Sequence, residues 1–90
     1  MDQGSAVNAL SALGHDTRLR IYLLLAAQGS TGFPAGAIAL ELGVGATVLS
    51  SHLAILTRAG LIEPERVGRS IIYRARRARA VELADFILAN

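Results

Sequence analysis

Two glycines punctuate the middle of this sequence. Gly43 and Gly45, in "LGVG", separate a short apolar stretch, Ala35 to Leu42, from a second one, Ala46 to Ala59, which Gly60 stops. So brief a turn makes two helices cross steeply instead of continuing as one rod, which is the signature of a helix-turn-helix. The second stretch is also unusual in carrying no formal charge from Ala46 to Thr57. A surface helix normally holds several charges on its solvent side, so this outward face needs a reason.

At about 100° per residue, Leu49, Leu53 and Leu56 share one side and face the core. Thr47, Ser51, Ala54 and Arg58 lie opposite, with Ser50 and His52 on the flanks. A helix that enters a major groove needs slim hydrogen-bonding residues where its N-terminus meets the bases. The positive end of its dipole favours nearby phosphate. For an isolated helix, loose selection on a solvent face explains Thr47, Ser50 and Ser51 equally well. The turn before it and the Arg-rich segment after it favour the groove. His52 suits either a packed, hydrogen-bonded core edge or a phosphate contact, and the contact is the reading favoured by its flank position.

Upstream, Ser5 to Leu13 reads as a short helix with Val7, Leu10 and Leu13 at helical spacing, ended by Gly14. Asp16 sits where a helix start favours an acid, and Leu19, Leu23 and Ala26 follow at i, i+4, i+7. Gly29 is a candidate helix stop and "GSTGFP" reads as a loop. Pro34 suits the first turn of the next helix, in which Ile38 and Leu42 point inward. After Gly60, Leu61–Arg66 and Ser70–Arg74 read as strands around a Val67-Gly68-Arg69 turn. Pro64 restricts the first strand to a sheet edge. "RARAVELADFILAN" is a terminal helix, apolar on more than one face. The expected fold is mainly α with a small β-hairpin: a winged helix-turn-helix, one domain over residues 1–90.

Composition narrows the function. Hydrophobic residues make up 52% of the ninety, more than a small monomer hides easily. No apolar run approaches the length of a bilayer span, and the first residues lack the basic start of a secretory signal. A cytoplasmic chain that buries its surplus in a homodimer is expected. There is no Cys, and two His make no His-rich metal site, so no metal and no cofactor are expected in this chain. All nine basic residues are Arg, and seven lie between Arg58 and Arg79 against only Glu63 and Glu65. Arg makes planar contacts to phosphate and guanine that Lys does not. Arg66 and Arg69 flank Gly68 at the hairpin tip, placed to track phosphates or enter a minor groove. No acid/base pair, activated nucleophile or phosphate loop emerges, so an enzyme is not expected.

These stretches resemble the ArsR/SmtB family of bacterial winged-helix repressors. "ALGHDTRLRIYLLL" is similar to its opening signature, "AIALELGVGATVLSSHLAILTRAGLI" to its helix-turn-helix block and "RVGRSIIYR" to its wing. The resemblance implies a homodimer joined by the first and last helices, which puts Val7, Leu10, Leu13, Val81, Phe86 and Ile87 at its interface. It also implies double-stranded DNA with an inverted-repeat operator as partner, and release by a small effector whose identity is open. Pro34 and Gly36 stand where the family often has a Cys-x-Cys sensor, the last helix lacks the family's zinc pattern, and Gly45 replaces its usual Ser. "GFPAG" resembles a branch that binds arsenic through cysteines after the last helix, which implies an arsenite-responsive repressor whose thiols lie outside residues 1–90. The competing reading is a winged helix used only for protein contact or dimerisation.

Overall fold

The Asp2 carboxylate accepts the Ser5 amide proton at 2.7 Å and so starts helix α1, Gln3–Leu13. His15 does the same for α2, Asp16–Gln28, its Nδ1 accepting from the Thr17 amide at 3.2 Å. The computed structural model describes all of residues 1–90. A short 3-10 turn, Gly29–Thr31, leads into β1, Phe33–Pro34, then α3, Ala35–Leu42, and α4, Ala46–Arg58. Strands β2, Ile62–Val67, and β3, Ser70–Ala75, form the wing, and α5, Arg77–Leu88, closes the chain. No single helix is long and apolar enough to cross a membrane.

The core is built by α1, α2, α3, α4 and the wing root: Ala6, Ala9, Ala12, Ile21, Tyr22, Leu25, Ile38, Leu49, Leu53, Leu56, Leu61 and Ile62, with Leu83 from α5. The inward stripe of α1 is all alanine, which lets its backbone come close to its neighbours and turns Val7 and Leu10 outward. In α2 only Ala26 of the set at helical spacing packs on the core. Leu19 and Leu23 are exposed, while Ile21, Tyr22 and Leu25 are buried. Apolar residues surround this helix from Ile21 to Ala27, so spacing alone does not select a face. Leu49, Leu53 and Leu56 face inward as expected.

The sheet has three antiparallel strands in the order β1-β3-β2. Pro64 lies on the edge strand β2, opposite Tyr73, where its missing N–H leaves no ladder bond unmade. Val67 pairs with Ser70, so the turn is the two residues Gly68-Arg69 and not the three expected. Strand β1 falls where a loop was expected. Two residues are too few to show alternation, and their pairing depends on Gly32. It has φ +67°, and a Cβ there would stand 2.7 Å from the Tyr73 carbonyl oxygen. Only a glycine lets the chain approach β3 this closely.

Candidate nucleic-acid interface

Helices α3 and α4 meet at a bend of 112°, within the range of helix-turn-helix pairs. Three leucines hold α4 down, and Thr47, Ser50, Ser51 and Ala54 are exposed. Gly45 caps α4 with no side-chain hydrogen bond. The first-turn amides therefore have no protein side chain to satisfy them, an arrangement suited to phosphate. Val48, which the helical wheel did not single out, is 54% exposed on the same turn. An apolar group there suits a thymine methyl.

The wing separates its arginines into two sets. Arg74 donates to Glu65 at 2.7 Å and to the Ser30 carbonyl, which ties β3 to the 3-10 turn. Arg76 lies 3.8 Å from Glu63, and Arg79 lies 3.6 Å from Glu82. Each acid that opposes the basic run is thus matched with one arginine. Arg58, Arg66, Arg69 and Arg77 have no carboxylate partner. Arg66 and Arg69 stand exposed at the wing tip. Arg58 is not beside the small polar face. It sits at the far end of α4, about 16 Å along the axis from Thr47, lining a cleft with Asn8 and Ser11 of α1.

Of the two roles open to His52, the structure presents the packed one. Its Nδ1 lies 3.2 Å from Nη1 of Arg18, whose Nε donates to the Ala12 carbonyl at 2.7 Å. Its ring centroid is 4.7 Å from that of His15, tilted by 49°. Burial first, then the positive charge of His15 and Arg18, holds its pKa below the ordinary imidazole value. Arg18 and His52 stand 34 positions apart, which leaves no sequence signal for this contact.

Adjacent helices α1 and α5 carry the expected interface residues. Val7, Leu10, Val81 and Ile87 are about half exposed, at 55, 48, 56 and 50%. Leu13 and Phe86 are instead half-buried and pack against the core, at the inner margin of that surface. Leu88, 83% exposed, extends the apolar set beyond the residues expected.

A steeply crossed helix pair with an arginine-tipped wing behind it defines the class as winged helix-turn-helix. A family profile described as "Helix-turn-helix domain" matches residues 13–65. The chain superposes on an ArsR-like transcriptional regulator from Rhodococcus sp. RHA1 with a TM-score of 0.85 and 30% identity, over 96% of this chain and 78% of that one. A homodimeric winged helix-turn-helix DNA-binding domain from Mycobacterium bovis gives a TM-score of 0.79 and 31% identity, over 96% and 78%. The biofilm growth-associated repressor of Xylella fastidiosa is 32% identical over 78 residues, which cover 87% of this chain but only 66% of that protein's length. The chain belongs to the ArsR/SmtB family of transcriptional regulators, a family of regulators and not of enzymes.

Proposed function

We propose that two copies of this chain join through α1 and α5 and repress transcription by occupying an inverted-repeat operator. Each protomer lays α4 in a major groove, with Thr47, Ser50 and Ser51 at the base edges. Arg66 and Arg69 hold the flanking phosphates or minor groove, and Arg58 adds charge at the far end of α4. The observation that carries this reading is the pairing of an uncharged, small-residue helix face with wing-tip arginines that no carboxylate neutralises. The homodimeric Mycobacterium bovis domain and the Xylella repressor support it. Half-sites then repeat at about 34–36 Å, one helical turn, or a multiple of it.

Selection of bound duplexes from a randomised pool, followed by fluorescence anisotropy in a salt series, tests the proposal. A palindromic consensus bound with Kd of roughly 10⁻⁸ to 10⁻¹¹ M is expected. Enrichment of nothing over the starting pool rejects it, and leaves the exposed apolar α1–α5 surface to a dimerisation module without specific DNA binding. The finer proposal is that arsenite releases the operator, captured by thiols outside residues 1–90. Titrating arsenite into the natural full-length product bound to its operator checks this, and an unchanged anisotropy rejects it.

A further inference from the structure

We propose that Arg18, His15 and His52 form a latch that seats α4 on α1 and α2, and that acidification through the imidazole range opens it and weakens DNA binding. The DNA half rests on the reading above, whereas the latch stands without it. One guanidinium joins three helices. Arg18 belongs to the first turn of α2, its Nε holds the Ala12 carbonyl near the end of α1, and its Nη1 reaches His52 on α4. His15 caps α2 and sets its ring against the same imidazole.

The hydrogen-bond direction fixes the protonation state. Arg18 only donates, so His52 Nδ1 must be the bare nitrogen, and the neutral ring carries its proton on Nε2. A second proton on Nδ1 turns the acceptor into a donor 3.2 Å from a guanidinium nitrogen. The cluster then holds two positive charges, and three when His15 is charged as well. The groups whose charge acts on His52 are His15, which caps α2, and Arg18 of its first turn; Asp16, between them in sequence, is not among them. Helix α1 carries no ionisable side chain of its own; it meets the latch through the Ala12 carbonyl, and its N-cap Asp2 lies at the opposite end. Nothing in the cluster compensates the added proton.

The sign follows from the lowered value of His52. The unfolded chain takes up the proton first, near pH 6.5, so the latch's stabilisation is whole above that pH. It is lost as pH falls from there through the lower, folded value. His52 adjoins Ser51 and shares α4 with Thr47, so an open latch removes one restraint from the helix that presents both residues, which its three buried leucines still anchor.

The test titrates the ¹⁵N-labelled chain from pH 8 to pH 5 without DNA and reads the imidazole nitrogens and the α4 amide exchange. The Nε2–H tautomer at His52 and a midpoint below 6.5 are expected, and Arg18→Gln raises that midpoint by removing a facing charge. Amides of α4 lose protection below the midpoint. In His52→Gln, whose side-chain oxygen accepts from Arg18 without titrating, they do not. With a duplex enriched from the randomised pool, Kd weakens by roughly three- to tenfold from pH 7.5 to 5.5. It changes less than about twofold in His52→Gln.

An Nδ1–H tautomer, or a midpoint that Arg18→Gln leaves in place, overturns the latch. Tighter binding on acidification marks a charged His52 on phosphate and overturns the switch. If no duplex binds at any pH, the DNA reading and the switch fall, while the ring titration still decides the latch. If His52→Gln does not fold, the wild-type and Arg18→Gln titrations decide it.

Discussion

Arg79 of α5 lies across Gly60, at the exit of α4. A Cβ built on Gly60 would stand 2.8 Å from Arg79 Nε and 3.0 Å from Nη2. Gly60 also has φ +77°, so any side chain there is strained by its own backbone, and the Arg79 guanidinium, the end of a flexible side chain, must move aside. Gly60→Ala is expected to destabilise the fold by about 1–3 kcal/mol, the range for a non-glycine residue held at such a conformation. Urea denaturation measures it. In an Arg79→Ala background the loss shrinks to the backbone part, and an unchanged loss would show that the contact does not matter.

The three leucines under α4 carry its attachment. Leu56 is fully buried and Leu53 nearly so, at 0 and 3% exposure. Leu56→Ala is expected to cost about 2–5 kcal/mol, the lost transfer energy plus a cavity. Ser51→Ala, on the exposed side of the same helix, is expected to stay within about 0.5 kcal/mol of wild type. Equal losses by thermal or urea unfolding would reject the assigned faces.

Much of this was legible because α4 is strongly patterned. Leu49, Leu53 and Leu56 recur at helical spacing among uncharged residues, so their face is readable from the sequence alone. The edge position of β2 was readable too, since Pro64 has no amide to give a central strand. Other features depend on partners distant in sequence. The face of α2 is chosen by what packs on it, because its apolar residues run all round. Strand β1 exists through Gly32 and the carbonyl of Tyr73, forty-one positions on by the numbering. The role of His52 is set by Arg18, which lies on a different helix.

The exposed apolar residues of α1 and α5 predict the assembly state. Val7 and Val81 are more than half exposed, so a charge at either position is tolerated in an isolated protomer. In a dimer the same charge is buried without a partner, which is strongly unfavourable. Val7→Glu and Val81→Glu are each expected to lower the mass seen by sedimentation equilibrium toward one chain, with little change in helix content by circular dichroism. A dimer unaffected by both would place the interface elsewhere.

The α4 face and the wing tip should respond to mutation in different ways. Arg66 and Arg69 have no carboxylate partner, so neither holds the fold through an ion pair. Arg66→Ala or Arg69→Ala is expected to weaken binding to all duplexes by a similar factor and to reduce the slope of log Kd against log salt by about 1. Thr47→Ala and Ser51→Ala leave that slope unchanged and shift which base pairs are preferred, each lost base contact being worth about 1–3 kcal/mol of discrimination. Anisotropy across a set of single-base operator variants, at three salt concentrations, separates the two effects. Because the face has few long side chains, positions that no residue touches should also matter, through groove width and bending. Should wing and helix variants alter slope and sequence preference alike, α4 does not read the groove.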